Sequence, residues 1–343
     1  MRPLWQKLVL FGVMLVLAIS CRGVQSEGES ITVNLGFSAW PGWLPWQVTQ
    51  EKGIFSQNKV AVALKWFESY TNSLDALIEH NIDANSQTLN DTIISLGKGS
   101  DQVIVLVNDN STGNDQVIVR AGIDEIKDLR GKRIGVEFGT VDHFLLGLGL
   151  KQAGLEFKDV EIVPMETSKA AQAFLAGRLD AVAVFAPFTT EALKRPGSKT
   201  LFSSRDFRGA ISDHLVFSRR FIDKHPEEVQ RVIDSWFATL NFIESNPESA
   251  IEILAKRAGV SVDEYKAYAD GTRIFSLPEN IAAFQKFDDM SSLHFAARKI
   301  TEFLKEVKLL TSEPDLERLF DDRFIRNYAE RAQGLNMTLT LNR

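Results

Sequence analysis

Apolar and polar residues alternate from Ile31 to Phe37 (ITVNLGF), the period-two pattern of a strand with one buried face. Helical spacing follows over Leu44 to Lys52 and closes at Gly53, and Val60 to Trp66 (VAVALKW) reads as a second strand. Ser73 to His80 predicts a helix with Leu74, Leu77 and Ile78 on one side, Asp91 to Leu96 a shorter helix, and Gln102 to Val107 a buried strand. Strands and helices in this alternation give a mostly parallel sheet covered by helices. The pattern then restarts. Lys132 to Glu137 predicts a strand, and Thr140 to Ala153 a helix stopped by Gly154, the residue type favoured just past a helix end. Strands Val160 to Met165 and Asp180 to Phe185, with helices Lys169 to Arg178 and Phe188 to Lys194, complete a second βαβαβ unit. After Arg205 the chain returns through Leu215 to Ser218 and becomes helical: from His225-Pro226, over Pro247 to Ala258, Ile281 to Phe287 and His294 to Leu309. The fold class is therefore α/β with two lobes: 31–122 plus 211–343 as lobe 1, and 123–210 as an inserted lobe 2. A single α/β domain with appended helices is the alternative.

The first thirty residues stand apart from this pattern. Arg2 and Lys7 precede a short apolar run, Leu8 to Ile19, and small Ser20 precedes Cys21, the only cysteine of the chain. The run is too short to span a bilayer and reads as a signal peptide over 1–20. Leu17 to Cys21 resembles a lipoprotein cleavage box, so Cys21 is the expected lipidation site, followed by a polar tether over 21–30; a plain signal peptide ending in a cysteine is the alternative. The protein is then exported, to the periplasm or cell surface, and touches a membrane only through its anchor.

Composition narrows the chemistry. Past Cys21 there is no disulfide framework, thiolate nucleophile or Cys-based metal site. Without the leader's Arg2 and Lys7, 37 of the 39 basic residues face 45 acidic ones, a formal charge of −8. This speaks against nucleic acid as a partner. The five histidines, His80, His143, His214, His225 and His294, lack metal-type spacing, and neither a phosphate loop nor a Ser-His-Asp arrangement stands out. No metal or cofactor is expected.

Ligands of open α/β sheets meet the loops at the carboxyl ends of strands, here 38–43, 85–90, 108–115, 137–143, 166–168, 185–188 and 212–214. In the first, Trp40 and Trp43 bracket Pro41-Gly42, a turn signal, with Trp46 on the helix beyond. Their rings would wall a site for a flat or cationic ligand, or else cap the core. Ser38, Asn85, Thr88 and Asn90 are polar candidates that a capped turn explains equally well. Gly139 and Thr140 open a helix whose free N–H groups would hold an oxygen; ordinary capping by Thr140 is the alternative. Asp109, Asp115, Glu137, Asp142, Glu166 and Asp213 populate these loops, whereas Lys and Arg are nearly absent. Sulfonate or nitrate would ask for guanidinium or many N–H donors, so this census suits an amine, an amidine-like heterocycle or an amide.

Several segments, in order, resemble the family of periplasmic binding proteins for nitrate, sulfonates, taurine and thiamine-pyrimidine precursors: GFSAWPGWLPWQVTQEKGIF (36–55), DNSTGNDQVIV (109–119, containing Asp109 and Ser111), IKDLRGKRIGVEFGT (126–140), FLAGRLDAVAVFAPF (174–188) and FIDKHPEEVQRVIDSW (221–236). The resemblance implies a type II periplasmic-binding fold, a small molecule held between lobes, and delivery to an ABC permease with ATPase subunits by a monomeric carrier. It also implies an aromatic ligand contact at Phe185. A thiamine-pyrimidine synthase shares the fold, but its cysteine-rich motif is absent here. Ligand binding is expected at Ser38, Trp40, Trp43, Asn85, Thr88, Asn90, Asp109, Ser111, Gly139, Thr140, Glu166, Phe185 and Asp213, with hinge closure as the mechanism. An enzyme on the same fold and a ligand-sensing lipoprotein are the rival readings.

Overall fold

A computed structural model describes residues 31–310 and 312–341, with side chains as far as 332. The leader, Cys21 and the 21–30 tether fall outside these residues.

Among the described residues, eleven strands form two sheets. The chain lays down β1 (Thr32–Phe37), β2 (Ala61–Trp66), β3 (Ala84–Thr88) and β4 (Gln102–Ser111), then crosses to β5 (Asp115–Val119), β6 (Arg133–Val136), β7 (Glu161–Pro164), β8 (Ala181–Phe185) and β9 (Lys199–Ser203). It returns through β10 (Ser212–Ser218) and β11 (Thr272–Ile274). The first sheet is ordered β11-β4-β10-β3-β1-β2 and the second β7-β6-β8-β5-β9. In each, the strand adjoining a crossover runs against its neighbours: β10 is antiparallel to β3 and β4, and β5 to β8 and β9. The crossing segments are laced together, Ser111 N donating to Ile211 O at 3.0 Å and Thr112 N to Gly271 O at 2.9 Å.

The patterns explain the burial. β1 alternates and sends Val33, Leu35 and Phe37 inward, while the near-continuous apolar runs of β4 and β8 lie inside their sheets and are covered on both faces. Helix Pro226–Ser245 packs Trp236 on Trp46 of helix Pro45–Glu51, with ring centroids 4.6 Å apart. Trp46 is fully buried, and its Nε1 donates to Ser86 Oγ at 3.0 Å, so it is core.

Three features differ from the pattern-based expectation. The second sheet begins before the boundary drawn at 123, because β5 follows β4 across the short Thr112-Gly113-Asn114 turn and joins that sheet. The helix placed at Ile281 to Phe287 is Leu277–Ala283, set by a capping box in which Ser276 and Glu279 bond each other's backbone. A terminal helix, Arg323–Leu341, was not anticipated. No described helix is long and apolar enough to cross a membrane.

Trp46→Ala removes a fully buried ring from the contact between these helices and is expected to cost about 3–5 kcal/mol of unfolding free energy. Urea titration of the variant measures this; a loss under ~1 kcal/mol contradicts the packing described.

Candidate functional site

The carboxyl ends of parallel strands in both sheets open toward one another. On the first sheet, Thr88, Asp213 and Asp109 form one row across β3, β10 and β4, since Asp213 pairs in register with each of the others. On the second sheet, Asp115 pairs with Phe185 across β5 and β8. Between the rows lies a nearly filled cavity of about 10 Å³, roughly the room of one ordered water. Trp40, Trp43, Tyr70 and Phe185 wall it, with Asp115 and Asp213 among its polar lining. The rings meet edge to face or tilted: Trp40–Phe185 at 6.1 Å, Tyr70–Phe185 at 6.3 Å and Trp43–Tyr70 at 5.3 Å between centroids.

The Trp-Pro-Gly-Trp turn is fixed from below. Trp40 Nε1 donates to Asp109 Oδ1 at 2.9 Å, and Tyr265 Oη donates to Pro41 O at 3.0 Å. A Cβ on Gly42 would stand 1.9 Å from Asp109 Oδ2, so only glycine lets the turn settle on that carboxyl.

Six carboxyl groups, those of Asp91, Asp109, Asp115, Glu137, Asp142 and Asp213, are buried around this seam. Burial pushes Asp115 and Asp91 up to about 7. Asp109 rises to about 8, burial outweighing the bond from Trp40. Asp213 is held well above the carboxylate range by burial and by the charges of Asp109 and Asp115; Asp142 is raised by burial as well. Asp115 Oδ2, Asp213 Oδ2 and Trp43 Nε1 are buried without a hydrogen-bond partner.

Two carboxylates tie the sheets together. Glu137 Oε1 accepts from Thr71 N at 3.1 Å and from its Oγ1, while Oε2 accepts from Thr167 Oγ1 at 2.7 Å. Asp91 Oδ2 accepts from Thr88 Oγ1 at 2.8 Å and, across the seam, from Val141 N at 3.3 Å, at the start of helix Val141–Gln152.

Of the residues singled out in the sequence, Trp40, Trp43, Thr88, Phe185 and Asp213 line the cavity. Asp109 sits behind Trp40. Others are placed elsewhere. Asn85 lies within β3 and bonds Ser73 Oγ and Gln87 Oε1, a polar network inside the fold. Asn90 is in the first turn of helix Leu89–Gly97, its amide given to Asp91. Ser38 is buried in the turn with its hydroxyl unpaired, outside the cavity lining. Ser111 bonds Ser204 Oγ at 2.7 Å and faces a wider groove. Gly139 takes a left-handed backbone and donates to His143 Nδ1, and Thr140 caps the following helix by position while its hydroxyl donates to Glu137 O. Glu166 is 40 % exposed and paired with Lys169, a solvent-facing role that its loop position did not reveal. Sequence reasoning missed Tyr70 as a site residue and noticed Asp115 only in the charge census. Tyr70 follows the carboxyl end of β2, a strand end left off the loop inventory.

The wider groove, about 780 Å³, runs beside the crossover segments and carries Arg205, Arg208 and Arg273. From the second sheet only Ser204 and Arg205, just past the end of β9, reach it, and it holds none of the rings of the Trp-Pro-Gly-Trp turn, so the aromatic cavity is the candidate site despite its smaller volume.

The raised carboxyls give stability a sign. Between the unfolded value, near 4, and the folded values of about 7 for Asp91 and Asp115 and about 8 for Asp109, the folded state binds more protons than the unfolded one, so stability falls as pH rises. Buried His214 and His143, lowered by burial to about 3 and about 4, oppose this only below the unfolded histidine value near 6.5. Unfolding free energy is therefore expected to drop by roughly 1–3 kcal/mol from pH 6.5 to 8, with a smaller drop in Asp213→Asn. Urea midpoints across that range measure it; a rise contradicts the assignment.

The NMT1-like family model matches residues 26–258. The taurine-binding periplasmic protein of Escherichia coli K12 is 24% identical over 323 residues, 91% of this chain and 98% of that protein. Among solved structures, the alkanesulfonate-binding protein SsuA of Xanthomonas axonopodis pv. citri, bound to MOPS, superposes with a TM-score of 0.71 at 18% identity, over 85% of this chain and 98% of its own. The desulfurization enzyme DSZB superposes at 0.62 with 17% identity, over 88% and 99%. The two-sheet architecture is thus that of the periplasmic binding proteins, and with the family model covering both sheets, the chain belongs to the NMT1-like family.

Proposed function

We propose that this protein is the solute-binding component of an ABC-type importer, working outside the cytoplasm and handing a small molecule to a permease and its ATPase subunits. The observation that carries the reading is the enclosed aromatic cavity at the facing carboxyl edges of two sheets, walled by Trp40, Trp43, Tyr70 and Phe185 and holding unpaired polar atoms of Asp115, Asp213 and Trp43. Relatives named for taurine and sulfonate binding support the role. An anchor through Cys21 and a monomeric carrier belong to the same proposal. So does a division into two lobes, with the second starting near Asp115.

Capture works by closure. The bridged seam leaves room for about one water, so a solute enters with the two rows parted and, by touching both, draws Glu137 and Asp91 back toward their partners, the form the permease reads. The fold alone also carries enzymes, as the likeness to DSZB shows. The lining residues of this cavity, however, pair no hydroxyl or thiol nucleophile with a histidine, and they suit holding better than turnover.

Native mass spectrometry of the mature chain is expected to show a retained small molecule that is lost in Trp40→Ala. A retained molecule undiminished in that variant, or one converted to product on incubation, overturns the reading. Glu137→Gln, which weakens the bridge to Thr71 and Thr167 without emptying the cavity, is expected to weaken solute binding about tenfold, a change of ~1.4 kcal/mol. Calorimetry measures it, and unchanged affinity contradicts the closure mechanism.

A further inference from the structure

We infer that the solute is a compact organic cation, carrying a protonated amine or an amidinium-type group whose N–H donors are taken by Asp115 and Asp213 while its body lies among Trp40, Trp43, Tyr70 and Phe185. This rests on the solute-binding reading and fixes the charge class of what is bound.

Four observations converge. The lining holds two carboxyl groups and no Lys, Arg or His. An anion would need a guanidinium or a set of free backbone N–H groups. Four backbone donors at these strand ends are committed to the protein's own oxygens: Val141 N to Asp91 Oδ2, Thr167 N and Thr71 N to Glu137, and Thr88 N to Tyr70 Oη at 3.0 Å. What is left open has the opposite polarity. Asp115 Oδ2 and Asp213 Oδ2 are buried acceptors without donors, against one open donor, Trp43 Nε1. A solute that satisfies all three presents more donors than acceptors.

The row geometry adds a cost that a cation removes. Asp109 and Asp213 are directly opposed across β4 and β10, so the two cannot both ionise without repulsion. A positive group beside them offsets that repulsion, and the surrounding ring faces favour it further. Among the described residues no three His, Cys, Asp or Glu side chains gather as a metal site, which leaves an organic cation as the matching chemistry.

Binding is then coupled to protons. The free site keeps its carboxyls protonated near neutrality, and the incoming cation displaces those protons. Asp91, Asp109, Asp142, Glu137 and Tyr70 are the other titratable groups packed around the pair, and none of them is basic. His214 follows Asp213 in β10 and so points to the opposite face of the sheet. Affinity for a cation should therefore rise with pH, up to tenfold per unit for each proton displaced.

The test is a calorimetric titration of the mature chain with benzylamine, benzamidine and ethanolamine, alongside ethanesulfonate, nitrate and taurine, at about pH 6, 7 and 8. Buffers of differing ionisation heat count the protons released. The expected result is binding of at least one cation, with proton release and an affinity that rises severalfold or more from the lowest to the highest pH. Asp115→Asn and Asp213→Asn keep side-chain size, and each should lower that affinity at least tenfold while thermal unfolding shows a folded protein. Ethanesulfonate, nitrate or taurine binding while every cation fails overturns the inference and leaves solute capture standing. So does cation binding indifferent to pH and to both Asn variants. If no cation of the panel binds, the inference fails; if native mass spectrometry then also shows no Trp40-dependent solute, the solute-binding reading falls with it.

Discussion

Acidic side chains buried without a basic partner are the constraint around which this structure is arranged. An ionised carboxylate moved out of water costs several kcal/mol unless it is paired and hydrogen-bonded. Here Asp91, Asp109, Asp115, Asp142 and Asp213 are all buried at one seam, and their carboxyls are all raised. Such a set survives only where protons, neighbouring hydroxyls or a ligand stand in for water. Glu137 and Asp91 use hydroxyls and backbone N–H groups from the opposite side of the seam, which turns their burial into a bond between the two halves. Asp115 and Asp213 keep oxygens unpaired. Strain of this kind gathers at functional sites.

Topology explains why the carboxylates meet. Beside the crossovers, β10 runs against β3 and β4 and β5 against β8 and β9, so each begins at the edge where those neighbours end. Asp213 and Asp115 stand near those starts. They therefore face loops from β1, β2, β3 and β8 without lying near any of them in sequence. The turn after β1 supplies two indoles, and Gly42 lets it sit directly on Asp109. Side chains from both sheets complete one small enclosure, with room for about one water.

Much of this was legible in the chain itself. Alternation and apolar runs marked β1, β2, β4, β6, β7, β8 and the latter part of β10, and the Pro-Gly turn between tryptophans marked two rings of the aromatic wall; β3, β5, β9 and β11 were not read as strands. Trp46 announced itself as core by falling on a helix face. The rest lacked local signals. The Thr112-Gly113-Asn114 turn between β4 and β5 does not say which sheet β5 joins, so its pairing partners are fixed by tertiary contact alone. Glu166 and Asp213 are both acidic residues at strand-end loops; only the fold turns one to Lys169 and solvent and the other into the cavity. Asn85 looked like a loop residue, yet it is strand, because hydrogen bonds to Ser73 and Gln87 meet its polar needs inside the fold. Tyr70 was reachable by applying the strand-end rule to β2 as well.

The account is tested most directly by a crystal structure of the protein purified without denaturation from the cells that make it, with its solute retained. It requires a molecule ringed by Trp40, Trp43, Tyr70 and Phe185, with nitrogen atoms in hydrogen-bond range of Asp115 and Asp213. A solute seated instead against Arg205, Arg208 and Arg273 in the neighbouring groove, with the aromatic cavity holding only water, would contradict it.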